Sequence, residues 1–345
     1  MSSQELLHEP PSISPEEFEF GRLKPLSHSA ESISKAIIQF NKRETYSVYS
    51  MAEDPCPRRR MGAENFKHHG TWNLGNPHNL EDIKKYFGYF NDVYFNGLLT
   101  GYCTLELVDG GAMKRRYGSD CGGRCQPYFP GEEIDSRHKA TKPQIIITIR
   151  SLANYRDKYA AIKEYHLVIL HEMLHAMFDI FECRCYRGCL DRTNREASGG
   201  HHIAWQAAAK ALERGVWLGA NPFDLYFDLR REVCLAADMM LGNKLPNEAT
   251  LRILRLDIEL ILKSLKEQRA EENQDLKERS AWSRLIRASN SCISKQQTVD
   301  AWDRNFGFER DKWPYRSHCM ERGERDLWGM PSSTISANEL WQFRA

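Results

Sequence analysis

This 345-residue chain has almost no charge of one sign to spare: 48 Lys and Arg stand against 47 Asp and Glu, a net charge of +1. That balance excludes a global attraction to nucleic acid, so any such binding has to come from a local patch. The chain also lacks a run of the ~18 apolar residues needed to span a bilayer, and no membrane passage is expected. Its opening, Met1-Ser2-Ser3-Gln4-Glu5, has neither a basic start nor an apolar stretch, which argues against a secretory signal. No paired C-x2-C ribbon occurs towards the C-terminus, and Cys292 with His318-Cys319 is too sparse for a zinc finger. A protein that is not secreted and works inside the cell is expected.

The chemistry that is present concentrates at His171-Glu172-Met173-Leu174-His175, which follows the apolar run Leu167-Val168-Ile169-Leu170. Histidines four apart on a helix project from one face a turn apart, so both imidazoles can reach one metal ion. Glu172 lies at the edge of that face, where it can hydrogen-bond a water on the metal. This is the H-E-x-x-H arrangement of zinc peptidases, two ligands and a general base within five residues. A buried helix carrying two histidines by accident is the bland alternative, and the apolar setting counts against it.

A catalytic zinc usually takes a third protein ligand and leaves a position for water. The metzincin spacing would need a histidine at position 181, which is Phe181. Glu196 stands at a separation that a ligand from a second helix would have, but Gly199-Gly200 follow within a turn, and paired glycines end helices. His201 is favoured, because those glycines allow a tight turn and a helix then runs through Trp205 to Leu212. His202 and Glu196 stay open as alternatives.

His171-Glu172-Met173-Leu174-His175-Ala176, a polar loop, Gly200-His201 and an aromatic at Trp205 together resemble the SprT-like metalloprotease family, which includes proteases that clear DNA–protein crosslinks. Upstream, residues 89–99 are similar to the family's entry helix and Gln144 to Ile149 to its strand before the active helix. The likeness covers about Leu80 to Asn221. Two departures stand out: His202 occupies the place of the second glycine in the family's G-H-G turn, and the loop between His175 and His201 is long and carries cysteines. The resemblance implies an α+β, zincin-like SprT domain, a small sheet packed on the helix that bears the motif. It also implies Zn2+ as cofactor, held by His171, His175 and His201 with Glu172 as the catalytic base, and a DNA-associated endopeptidase, nuclear or cytoplasmic with the nucleus favoured.

The chain divides by pattern into an N-terminal arm over 1–79, the SprT-like domain over 80–221, a helical extension over 222–290 and a Trp-containing tail over 291–345. The arm is expected to be mostly disordered, with Pro10, Pro11, Pro15 and many Ser and Glu giving little to bury. A short helix over Ser32–Asn41 is its one apolar stretch, and Arg58-Arg59-Arg60 is read as a solvated basic run. Asn79 caps a helix through Ile83, Phe87, Phe90 and Val93 that ends at Gly97. Thr104 to Val108 is a strand ended by Gly110-Gly111, residues 112–143 are a loop, and Tyr159 to Phe181 is the active helix. A further helix starts at Pro222. Leu251, Leu254, Ile258, Ile261 and Leu265 form one docked helix rather than a coiled coil. From Ser280 onward, Trp282, Trp302, Trp313, Trp328 and Trp341 mark a segment that packs on the catalytic domain or binds partner proteins.

Five of the ten cysteines, Cys121, Cys125, Cys183, Cys185 and Cys189, lie in the two loops flanking the active helix. Unpaired thiols are the plain expectation inside a cell; the sharper one brings the loops together around a second zinc or a disulfide, although neither spacing is that of a zinc finger. Tyr186, Arg192, His202 and Tyr226 are candidates to stabilise an oxyanion. Lys114-Arg115-Arg116, with Arg124, Arg137, Lys139 and Lys142 and the interleaved Tyr117, Tyr128 and Phe129, is the candidate nucleic-acid patch, cations beside stacking groups as single-stranded binding uses. A peptidase without a nucleic-acid role and a zinc-containing scaffold with vestigial catalysis are the competing classes; retained Glu172 argues against the second.

Overall fold

A three-stranded sheet and the helices around it position the site. The computed structural model describes residues 9–19, 21–41, 56–69, 72–74, 76, 78–117, 121–135, 138–153, 155–185, 189, 200–214 and 227–290. The order is α1 (Pro15–Glu19), α2 (Ala30–Asn41), α3 (Pro57–His69), α4 (Leu80–Phe95), β1 (Cys103–Val108), α5 (Gly110–Tyr117) and β2 (Gly123–Tyr128). A short pair, β3 (Glu133–Asp135) and β4 (His138–Lys139), precedes β5 (Gln144–Arg150) and α6 (Lys158–Phe181). Then come α7 (Ile203–Arg214), α8 (Arg231–Met240), α9 (Glu248–Leu254) and α10 (Ile258–Asn290). The fold is mixed α+β. Two units are distinguished, Met1–Glu271 and Glu272–Ala345; of the second, only the last part of α10 is described. No helix among the described residues is long and apolar enough to cross a membrane.

The sheet runs β1-β5-β2, with β5 parallel to β1 and antiparallel to β2. As the central strand, β5 is nearly continuous in isoleucine, and Ile145, Ile147, Thr148 and Ile149 are all buried, as a strand covered on both faces requires. β2 carries Pro127, which an edge strand tolerates. α6 packs on β2 and β5 and against α4. Its first turn is held by Asp157, which accepts from the N–H groups of Tyr159 and Ala160. Asn79 caps α4 in the same way, through Glu81 N–H.

The carbonyls at the far end of α6 are satisfied from a distance. Leu26 N–H donates to Ile180 O at 2.9 Å, and Ser27 and His28 N–H both donate to Phe181 O at 3.0 Å. Cys183 N–H returns to His28 O at 2.8 Å, so that His28 and Glu182 pair as a parallel bridge.

The disordered arm expected over 1–79 is therefore corrected for its described parts, which form a layer of the core. Ser14 and Glu17 exchange backbone and side-chain hydrogen bonds at 2.8 and 3.2 Å, a capping box that starts α1. α2 buries Ile33, Ile37 and Phe40 and packs on α7, α6 and α4. Arg59 is buried, not solvated: its Nη1 donates to Phe40 O at 2.8 Å and its guanidinium lies 4.8 Å over the Phe40 ring. Trp72 stacks on Tyr165 with ring centroids 5.6 Å apart. These apolar residues are too few to fold alone; the surface they cover belongs to later elements, α4 for α3 and α4, α6 and α7 for α2.

Two further expectations change. The loop over 112–143 contains α5, β2 and the β3–β4 pair, because Asp109 accepts from Ala112 N–H and makes Gly110-Gly111 the start of a helix rather than a stop. The helix through Leu251 and Leu265 is broken at Arg255, which takes φ +54° between α9 and α10. Leu251, Leu254, Ile261 and Leu265 nevertheless dock together on Leu235 and Ala236 of α8. The helix expected from Pro222 lies outside the described residues up to Tyr226, and its continuation is corrected: residues 227–230 are not helical, Arg230 takes φ +54°, and α8 begins only at Arg231. Trp282 falls in α10, and the tryptophans from Trp302 on lie outside the described residues.

Candidate active site

His171 and His175 stand one turn apart on α6, and His201 enters from the turn before α7. Their Nε2 atoms form a triangle: His175 to His171 3.1 Å, His175 to His201 3.1 Å, His201 to His171 3.2 Å. Three neutral imidazole nitrogens cannot satisfy one another, since each is either donor or acceptor and at least one pair must be alike. A cation at the centre removes the conflict. Nitrogens 2.0–2.1 Å from a tetrahedral zinc stand about 3.3–3.4 Å apart, so the triangle fits such an ion within a few tenths of an ångström.

The surroundings orient the rings. His201 faces Asp238 of α8, Nδ1 to Oδ1 at 2.9 Å, while His201 N–H donates to Asp238 Oδ2 at 3.0 Å. The carboxylate holds the proton on Nδ1 and turns the Nε2 lone pair to the triangle, the role of an outer carboxylate in a carboxylate–histidine–metal series. Trp205, fully buried, lies against all three rings at centroid distances of 5.0, 5.4 and 4.7 Å. Gly200 has φ +86°, and a Cβ there would come within 3.1 Å of His175 Cε1. Both the turn and the close approach call for glycine. Burial lowers the His171 pKa to about 3, with His201 adding to it, and lowers His175 well below its ordinary value. Both rings are thus neutral, the form that binds a metal.

Glu172 is buried against β2, and its Oε1 would be 2.7 Å from a Cβ at Gly123. Burial raises its pKa to about 8, opposed by the Arg124 charge and by the Cys125 backbone N–H. It is the only carboxylate of the motif and takes no place in the nitrogen triangle. Cys234 of α8 also brings its sulfur within 4.8 Å of ligand atoms of His171 and His201, and donates to Leu229 O at 3.7 Å. The three nitrogens are the tighter set.

His202 is used elsewhere. Its Nδ1 accepts from Trp205 N–H at 3.3 Å and its carbonyl from Gln206 N–H at 2.9 Å, capping α7, and its ring meets Phe178 edge-on at 4.9 Å. Glu196, Tyr186, Arg192 and Tyr226 lie outside the described residues. Asp238 and Cys234 carried no signal in the sequence, because each is a single side chain on a later helix with no motif around it.

No protein-family model, no curated protein and no solved structure matches this chain.

The basic residues expected to form one patch are dispersed. Lys114, Arg115 and Arg116 are exposed in the last turn of α5, but Arg116 pairs with Glu106 at 2.6 Å. Lys139 reaches Glu133 at 4.0 Å, and Lys142 lies 4.6 Å over the Tyr102 ring. Tyr117 is turned to the sheet, its hydroxyl 2.9 Å from Thr148 Oγ1. Arg124 sits on β2, beside Glu172. Among the cysteines, Cys183, Cys185 and Cys189 form one group, whereas Cys125 donates to Asp179 Oδ2 at 3.6 Å and, like Cys121, belongs to neither metal-competent cluster.

Proposed function

We propose that the chain is a zinc-dependent endopeptidase of the SprT-like type, acting on proteins bound or crosslinked to DNA. The observation that carries the peptidase reading is the convergence of the His171, His175 and His201 nitrogens beside buried Glu172. His171, His175 and His201 would hold a zinc ion, which would supply Lewis acidity for a peptide carbonyl and make water a nucleophile at neutral pH. Burial alone raises the Glu172 pKa to about 8, but a cation in the adjacent nitrogen triangle would hold the carboxylate ionised, so that Glu172 would accept a proton from the attacking water and pass it to the leaving amine, a transfer worth ~10²–10⁴-fold. Asp238 keeps His201 in one tautomer throughout. β2 pairs only with β5 among the described residues, so its outer edge, next to Glu172, offers backbone groups to an extended substrate chain. A purely structural site has no use for a base at Glu172.

The DNA-bound class of substrate, and with it a nuclear place of action, rests on the family likeness of residues 80–221. Exposed Lys114 and Arg115 lend it local support. The dispersal of Arg116, Lys139 and Lys142 to other partners favours a second reading, a peptidase with no nucleic-acid role. Cleavage of a DNA-binding protein by the purified chain, with single-stranded, double-stranded and no DNA, separates them. Stimulation that falls steeply with salt upholds the first reading; equal rates with and without DNA uphold the second; no hydrolysis by the zinc-loaded chain under any condition sinks both.

A further inference from the structure

Beyond the last turn of α6, a second group of metal-binding side chains comes together, independent of the histidine triangle. The sulfurs of Cys183, Cys185 and Cys189 all lie within 4.8 Å of one another, and no disulfide joins them. Thiolates around a tetrahedral zinc at 2.3 Å stand about 3.8 Å apart, which that spread accommodates. An odd number of thiols also cannot be consumed by disulfides among themselves.

A candidate for the fourth donor comes from the other end of the sequence; it lies outside the 4.8 Å group of sulfurs but shares a cavity with two of them. His28 is 3 % exposed, yet neither of its ring nitrogens has a hydrogen-bond partner. Pro11 O is near enough to favour the protonated ring without reaching hydrogen-bond geometry, and burial outweighs it, lowering the pKa. An imidazole buried in this way costs free energy unless something meets its lone pair. His28 lines a cavity of about 10 Å³ together with Cys183 and Cys189, on the order of the space one water centre needs. Its backbone is fixed there by the bonds to Phe181 O and from Cys183 N–H.

We propose that Cys183, Cys185, Cys189 and His28 hold a structural zinc ion. Three thiolates and one imidazole fill a tetrahedral shell and leave no open position, the mark of a structural rather than a catalytic site. Thiolate ligands select zinc over magnesium or calcium, and binding sends the thiol protons to solvent. The C-x-C-x3-C spacing is not that of a finger because the fourth ligand does not belong to the same segment. The ion ties residues 26–28 to the end of the helix that carries His171, Glu172 and His175, closing a loop from position 28 to position 183.

The test uses the full chain, with zinc measured by elemental analysis and cobalt(II) as the spectroscopic probe. The wild-type chain is expected to hold two zinc ions. His171→Ala with His175→Ala should retain one, and its cobalt form should keep the thiolate-to-cobalt charge-transfer absorption. Cys183→Ser with Cys189→Ser should lose that absorption and keep one ion, His28→Ala should lose the thiolate-held ion to a chelator that leaves wild type loaded, and His28→Cys should restore it. Because the histidine double variant leaves the thiol cluster untouched, misfolding of the cysteine variants does not shield the proposal. A histidine double variant with no thiolate absorption overturns it, as does a disulfide among the three cysteines in the purified wild-type chain. One zinc per wild-type chain with thiolate absorption upholds this site and sinks the histidine reading; one zinc without it does the reverse.

Discussion

The middle and the end of α6 solve opposite problems with the same helix. In the middle, three imidazoles converge with a carboxylate beside them that is not part of the convergence, and a second carboxylate, Asp238, steers one ring from behind. At the end, backbone N–H groups from residues 26–28 meet the Ile180 and Phe181 carbonyls, three thiols gather where the chain leaves the helix, and the buried His28 ring lines a cavity with two of them. The difference teaches how to tell reacting sites from fastening sites. A reacting site keeps a group in reserve, and a fastening site uses every group it has.

The sharpest way to break that contrast is Glu172→Gln. The expected result is a ~10²–10⁴-fold loss of hydrolysis with zinc content unchanged; loss of metal together with activity would make Glu172 a ligand and erase the distinction. At the fastened end the burden is stability. Ile37→Ala, at a fully buried position of α2, is expected to cost ~2–5 kcal/mol in denaturant unfolding, with metal stoichiometry at the histidine site retained. A cost below ~0.5 kcal/mol, as surface substitutions show, would return this segment to the status of an arm. Asp238→Ala comes next: His201 loses its orienting partner, and zinc affinity at the histidine site should fall ~10–100-fold in a chelator competition. No change in affinity would make the Asp238 contact incidental. The smallest effect is expected for Ser14→Ala, which removes half of the capping box and should destabilise by ~0.5–2 kcal/mol, readable as a lowered denaturation midpoint without any effect on catalysis.

How much of this was legible in the sequence depends on how far apart the cooperating residues lie. His171, Glu172 and His175 are one helical turn, so spacing alone put them on one face. His201 could be favoured because Gly200 announces the turn that brings it in. The Asn79 cap and the apolar period of α4 are local as well, and both were readable. The folded state of residues 9–41 was not, since Ile33, Ile37 and Phe40 look insufficient until α6 and α7 are there to receive them. The grouping of Cys183, Cys185 and Cys189 without Cys121 and Cys125 follows from where β2 turns its side chains, which no spacing records. Asp109 was the missed local signal: an Asp before a glycine pair starts a helix when it can cap it. Zinc-peptidase chemistry was inferred from the motif, and the geometry of three nitrogens and a buried carboxylate supports it without turning the family likeness into a match.

One consequence concerns the order of events during synthesis. The strand that finishes α6, Leu26 to His28, leaves the ribosome about 150 residues before the carbonyls it will meet, an interval of about 8–30 s at ~5–20 residues per second. Until then the apolar side of α2 has α1 and, once made, α4 to rest on, but neither α6 nor α7. A shortened chain beginning at residue 80 lacks α2 altogether, and it leaves the Ile180 and Phe181 carbonyls without their N–H donors. The earliest part of this chain to be made is among the last that can settle.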